Sequence, residues 1–214
     1  MSKSFFIDTT LCMACRGCQV ACKQWHDLPA EKTANQGTYQ NPQDLSFDTY
    51  KLVRMKEELI DGQVKWLFFP DQCRHCLDAF CHVTADDESA IYQDKMTGAV
   101  IYTSNTRQLD AEEIIDSCPY NVPRKGPAGI LVKCDMCIDR IHNGLLPACV
   151  KTCPTGAMNF GDRSKILELA KRRLFEVQEQ YPKAMLLDRF YVNVIFLTAY
   201  DPVLYHKSAV APFS

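Results

Sequence analysis

Apolar residues come in short bursts along this chain, and the spacing inside each burst predicts its element. Ser4 to Asp8 and Val64 to Phe69 crowd apolar and aromatic residues into a few positions, a length and composition that predict β-strands. Each stands just before a group of cysteines, so the chain echoes itself. Ala90 to Tyr92 and Ala99 to Tyr102 flank Asp94-Lys95-Met96-Thr97-Gly98, which predicts a hairpin with glycine at its turn. Thr155 to Phe160 and Arg189 to Leu197 are further expected strands. From Ser164 the period changes: Ile166, Leu167, Leu169, Ala170, Leu174 and Val177 share a stripe, predicting a helix capped by Asp162 or Ser164. Leu28 to Ser46 has neither period and is polar, so a long connection is expected there, a candidate surface for a partner. The most apolar stretch, Phe190 to Leu197, is far shorter than the roughly 18 residues that a bilayer requires, so a soluble chain is expected.

Length and composition add limits. At roughly 150 residues per domain, 214 residues make one large domain or two small ones sharing a core. Forty-seven per cent hydrophobic and 23% charged residues exclude collagen, coiled coil and wholesale disorder. A formal charge of −2 with interspersed signs leaves no basic footprint for nucleic acid or a membrane surface. Cysteine is the outlier, with 12 residues, more than an apolar core needs. Met1 to Thr10 has no basic n-region, apolar h-region or twin arginine, so the sequence itself is expected to carry no export address. Thiols in a reducing compartment serve metals or redox chemistry rather than disulfides.

The cysteines fall into four groups: Cys12, Cys15, Cys18 and Cys22; Cys73, Cys76 and Cys81; Cys118 alone; and Cys134, Cys137, Cys149 and Cys153. The first reads C-x2-C-x2-C-x3-C, the ferredoxin spacing in which three cysteines hold one 4Fe-4S cluster and the fourth reaches to a second. Cys118-Pro119 and Cys153-Pro154 supply the Cys-Pro ending of such runs, whereas Cys22 is followed by Lys23. In the middle of the chain, counting on from Cys81 to the next expected cysteine reaches Ala85. Counting back from Cys118 reaches Ile114, Ala111 and Gln108. Under the crossover rule these four missing cysteines are the complete ligand set of one cluster, and no thiol is orphaned. If each run served its own cluster, the same losses would leave one site short by one ligand and another with a single ligand. The same rule applied to the outer groups divides all twelve thiols into three quartets. The first is Cys12, Cys15, Cys18 and Cys153; the second is Cys22, Cys134, Cys137 and Cys149; the third is Cys73, Cys76, Cys81 and Cys118. Three 4Fe-4S clusters are thus expected, and no catalytic residue. The expected fold class is α+β: a discontinuous ferredoxin-like module (1–63 and 125–162) with two clusters, an inserted ferredoxin-like module (64–124) with one, and a helix-strand extension (163–214).

Blander readings compete at each feature. Disulfides would strain thiols spaced every third residue. Three zinc sites of four cysteines each, in a zinc-stapled interaction protein, would use the same twelve residues, but the Cys12, Cys15, Cys18 triplet over-supplies one side of a tetrahedron. A Cys/His nucleophile is disfavoured because no cysteine is left over. His75, His82 and His26 are expected to pack beside the sites or donate to carbonyls. Lys23, Arg16, Arg74, Lys133 and Arg140 lie near cysteines and could offset cluster charge, although each alone reads more readily as a solvated surface cation. Phe5, Phe6, Trp66, Phe68 and Phe69 are expected as core walls rather than an electron path.

The stretch Asp8-Thr9-Thr10-Leu11-Cys12-Met13-Ala14-Cys15-Arg16-Gly17-Cys18-Gln19-Val20-Ala21-Cys22-Lys23-Gln24-Trp25 resembles the opening of the iron-sulfur beta subunits of formate dehydrogenases. Cys73-Arg74-His75-Cys76 and Lys133-Cys134-Asp135-Met136-Cys137 follow the same pattern in order, and the resemblance spans about residues 3 to 160. It extends to the electron-transfer subunits of other molybdopterin oxidoreductases, which typically carry four clusters. Membrane-bound relatives also have a C-terminal transmembrane helix, which this sequence lacks. The resemblance therefore implies the small subunit of a soluble heterodimer. A large subunit with pterin-bound tungsten or molybdenum would oxidise formate, and an external acceptor such as a c-type cytochrome would take the electrons. It further implies a periplasmic location through co-export with the large subunit. The thiol argument alone would favour the cytoplasm.

Overall fold

The computed structural model describes residues 2–212. Strand β1 (Lys3–Asp8) leads through α1 (Gly17–Trp25) and an irregular connection to a ribbon of β2 (Leu52–Ile60) and β3 (Gln63–Asp71). Then come α2 (Phe80–Ala85), β4 (Ile91–Gln93), β5 (Val100–Tyr102), α3 (Ala111–Asp116), β6 (Arg124–Lys125), β7 (Leu131–Val132), α4 (Ile138–His142) and α5 (Ala148–Lys151). The chain closes with β8 (Met158–Asp162), α6 (Arg163–Gln178), β9 (Met185–Leu187), β10 (Val194–Thr198) and α7 (Pro202–Tyr205). The class is α+β, and among the described residues no helix is long and apolar enough to cross a membrane.

The two ends of the chain build one sheet, ordered β8-β1-β10-β9, with β1 and β10 parallel and Phe5 opposite Val194. Both central strands are apolar without alternation because both of their faces are covered. Phe5, Ile7, Val194 and Phe196 turn to one side, where Phe69 of β3 stacks on Phe196 with ring centroids 4.3 Å apart. Phe6, Ile195 and Leu197 turn to the other, against Ile166 and Ala170 of α6. Each of these fully buried side chains contributes about 1.5–3 kcal/mol. Segment 163–214 therefore does not stand apart, since β10 lies between β1 and β9.

The expected hairpin forms as β4 and β5, and Gly98 takes φ 78°, where an added Cβ would come 2.8 Å from Asn193 Nδ2. Several expectations shift. The strand placed at Thr155 begins only at Met158, beyond the turn that follows Cys153. The strand placed at Arg189 begins at Val194, because the backbone before it is engaged elsewhere: Leu77 N donates to Tyr191 O and Asn193 N donates to Arg74 O. Asp162 occupies the N-cap of α6 but makes no capping bond, its carboxylate instead pairing with Lys3 at 2.6 Å, and Ser164 lies inside the helix. Trp66 is not a core wall: it is 51% exposed beside Tyr39, whereas Phe69 is fully buried. Strand β2 is not among the expected elements. It pairs along its length with β3 across Asp61-Gly62, both at positive φ, which suits a two-residue hairpin turn.

Candidate metal centres

Three cysteine runs share one local turn. The second residue after the leading cysteine (Ala14 after Cys12, His75 after Cys73, Met136 after Cys134) has left-handed φ values of 54°, 46° and 67°. None is glycine, so each costs on the order of 1 kcal/mol. The turn aims a backbone N–H at sulfur: His75 N donates to Cys73 Sγ at 3.3 Å and Met136 N to Cys134 Sγ at 3.4 Å. The Ala14 amide does the same for Cys12 and favours its thiolate. A strain repeated three times for the same bond marks these loops as built to hold anionic sulfur.

All twelve cysteines are free. Burial raises the Cys12 thiol to about 11, with the sulfurs of Cys18 and Cys153 adding to the effect. Burial likewise raises Cys18, and Cys15 and Cys153 act on it; all four line one small cavity with Val53 and Pro70. Burial, then Cys149 and Cys137, raise Cys22, while Cys134 is raised by burial and next by Cys22. Burial, then Cys73, Cys118 and Cys81, raise Cys76, and Cys118 is pushed up to about 11. Sulfurs of cysteine groups distant in sequence thus act on one another in three sets: Cys12 and Cys18 with Cys153, Cys22 with Cys137 and Cys149, and Cys76 with Cys118. Across these sets Cys149 feels Cys18 and Cys134 feels Cys73, so the one that contains Cys22 neighbours both others. The middle one is the most enclosed: Cys22, Cys134, Cys137 and Cys149 are all buried, whereas Cys15 is exposed and Cys76, Cys81 and Cys118 are partly so.

Crowding buried sulfurs disfavours their thiolate forms, and a bound metal reverses this by holding the thiol deprotonated. Cysteine-only sets of four with backbone N–H donors fit iron-sulfur clusters. Among other His, Cys and carboxylate groups, His26 Nε2 lies 3.8 Å from Cys137 Sγ and 3.4 Å from Asp135 Oδ1. His26 is therefore more than packing. Of the two arrangements expected for His75, it packs beside the cysteines, fully buried, rather than donating to a carbonyl. Its Nδ1 accepts from Val100 N at 3.0 Å, which leaves the proton on Nε2, and burial lowers its pKa well below the ordinary value. His82 Nε2 meets Glu88 at 3.0 Å.

The surface reading fails for three of the five cations. Arg74 is 2% exposed, pairs with Asp71 at 2.8 Å and lies over Phe69, Tyr120 and Phe196. Arg140 is buried over Trp25 at 4.1 Å, and Lys133 is buried beneath Tyr102. Arg16 reaches Tyr39 O and Met55 Sδ, and Lys23 reaches Pro29 O, so both pin the long connection. Lys51 and Tyr102 were missed. Nothing in the sequence distinguishes Lys51, which precedes β2 far from any cysteine, yet its charge acts on Cys12, Cys18, Cys22 and Cys149. The Tyr102 hydroxyl is buried and faces Cys81, Cys73 and Cys118, which with burial push it well above the ordinary tyrosine value. Of the four positions where cysteine was counted and not found, Ala85, Ala111 and Ile114 meet in one apolar cluster with Ile91, Val100 and Leu131; Gln108 is exposed outside it.

A family described as a 4Fe-4S dicluster domain matches residues 64–163. The chain is 60% identical to the formate dehydrogenase subunit beta of Megalodesulfovibrio gigas, over 99% of this chain and 100% of that one. It is 49% identical to formate dehydrogenase 2 subunit beta (cytochrome c-553) of Nitratidesulfovibrio vulgaris, over 98% and 99% of the two chains. Over 94% of its length, and 68% of the relative's, it is 36% identical to the formate dehydrogenase-O iron-sulfur subunit of Escherichia coli.

Proposed function

The chain belongs to the iron-sulfur beta subunits of formate dehydrogenases, and we propose that it carries electrons through three 4Fe-4S clusters from a catalytic subunit to an external acceptor. As a member of that family it is an electron-transfer subunit binding 4Fe-4S clusters. In the finer reading, Cys12, Cys15, Cys18 and Cys153 hold one cluster, Cys22, Cys134, Cys137 and Cys149 a second, and Cys73, Cys76, Cys81 and Cys118 a third. What supports this is that all twelve sulfurs are free and that sulfurs of separate cysteine groups act on one another, Cys12 with Cys153, Cys22 with Cys137 and Cys149, and Cys76 with Cys118. Bound clusters supply one-electron oxidation and reduction without a change of bonding. The chain's own residues exclude water, aim N–H groups at sulfur and fix the distances between sites. The couplings of Cys149 to Cys18 and of Cys134 to Cys73 support a row with the second quartet in the middle.

The partner in this reading is a large subunit that binds tungsten or molybdenum through a pterin and oxidises formate. A c-type cytochrome is the acceptor, a choice supported by the cytochrome c-553 in one relative's name. The location is the periplasm, reached with the exported large subunit, and fractionation of spheroplasts tests it. The direct test of the cluster assignment is chemical analysis of the purified native complex. About twelve iron and twelve sulfide per beta chain are expected above the large subunit's own content, and four or eight would overturn the assignment.

A further inference from the structure

We propose that Lys51 and Lys133 are built-in counter-charges at the two junctions between sulfur quartets, and that their positive charge raises the reduction potentials of the sites they face. Lys51 serves the first and second quartets and Lys133 the third. The inference rests on the reading that the quartets hold clusters.

Lys51 is 2% exposed, and its ammonium is held only by neutral oxygens, Pro70 O at 3.0 Å and Gln72 Oε1 at 2.5 Å. Among the described residues no carboxylate pairs with it. The contrast with its neighbours is sharp: Arg54 and Arg74, equally buried, share Asp71 at 2.7 and 2.8 Å. A buried charge without a counter-ion is strongly unfavourable unless something negative lies close by. Pro70, whose carbonyl Lys51 holds, lines the small cavity with Cys12, Cys15, Cys18 and Cys153, and the lysine's charge favours the thiolates of Cys12 and Cys18 in the first quartet and of Cys22 and Cys149 in the second. Lys133 repeats the arrangement at the other junction. It is 6% exposed, donates to Val100 O and to the carbonyl of Cys134 at 3.2 Å, and acts on Cys81 of the third quartet. It too has no carboxylate partner among the described residues.

Reducing one of these sites adds a single electron from the neighbouring site, with no bond broken and no proton taken from the chain. The added negative charge is stabilised by a fixed cation and opposed by a fixed anion. The second quartet also has Asp135 beside it, acting on Cys22, Cys134 and Cys137. Once Lys51 is neutral, both quartets it faces lose that charge and both potentials fall, and the second is left facing its carboxylate unopposed.

The test is a potentiometric titration of the two-subunit holoenzyme at one pH, followed by electron paramagnetic resonance, with iron and sulfide measured on every sample. Lys51→Met is expected to keep the wild-type iron content and to lower two beta-chain midpoints. The larger change is about tenfold in the oxidised-to-reduced ratio, or about 59 mV for one electron. The third midpoint stays, whereas Lys133→Met lowers the third. Lys51→Arg restores the wild-type values. Should Lys51→Met lose iron, Lys51→Gln removes the charge while keeping a donor for Pro70 O. Full iron content with unmoved midpoints, or all three moved alike, overturns the inference. Iron far from twelve per chain in the wild type would instead refute the cluster assignment, so the two failures are distinct.

Discussion

Helices α1 and α5 pack together, and so do α2 and α3, but what lies between them differs. On α1, Cys18 and Cys22 stand one turn apart, and Cys149 of α5 is followed one turn later by Cys153. On α2 the corresponding pair is Cys81 and Ala85, and on α3 Ile114 is followed one turn later by Cys118. One helix pair therefore closes on sulfur and the other on alanine and isoleucine, in the same spacing. The difference teaches that a site of this kind is interchangeable with ordinary apolar packing. Ala85, Ala111 and Ile114 fill their space with Ile91, Val100 and Leu131 and leave no orphan thiol behind.

The largest break in this contrast comes from making α1 resemble α2. In the two-subunit holoenzyme, Cys22→Ala is expected to lower iron from about twelve to about eight per chain, by loss of one cluster. Electron transfer from formate to a cytochrome should stop while the outer sites keep their resonance signals; unchanged iron would contradict the grouping. On the apolar side, Ile114→Ala opens a cavity costing about 2–5 kcal/mol. The thermal midpoint should fall by several degrees with the iron count intact, and loss of iron would show that this ground is not independent of the metal sites. The smallest effect concerns Asp44, which ties β2 to the segment after Cys118 through Arg54 at 2.6 Å and Arg124 at 2.9 Å. Partial burial opposes its ionisation, but the hydrogen bond and charge of Arg54, with help from Arg124, hold its pKa below the ordinary 3.8. A lowered folded value means that this tie stabilises fully above about pH 4 and is lost as the pH falls through the lowered value. Asp44→Asn should therefore lower neutral stability slightly, by the small worth of this half-exposed tie, and flatten that part of the acid denaturation curve, measured by fluorescence.

What could be read from the sequence follows from what is local. The cysteine spacings, the helix stripe and the hairpin at Gly98 are short-range patterns, and they appear in the fold where expected. The edges of β8 and β10 lie elsewhere than expected because tertiary hydrogen bonds, such as that from Asn193 N to Arg74 O, compete with the sheet for the same backbone. Strand β2 did carry a signal, Asp61-Gly62 between two strand-like runs, but the charged run Lys56-Glu57-Glu58, which falls on both faces, hid the alternation. Lys51 carried none. Its position relative to four sulfurs is produced by the convergence of segments far apart in the chain, which single-residue chemistry does not encode.

Cys15 is exposed whereas Cys22, Cys134, Cys137 and Cys149 are all buried, and under the proposed assignment this gives damage an order. With clusters in place as proposed, oxygen or a chelator would meet the first site at the surface and the central one last. A chain ageing in air should erode from its ends inward, losing the continuity of the relay before it loses most of its colour.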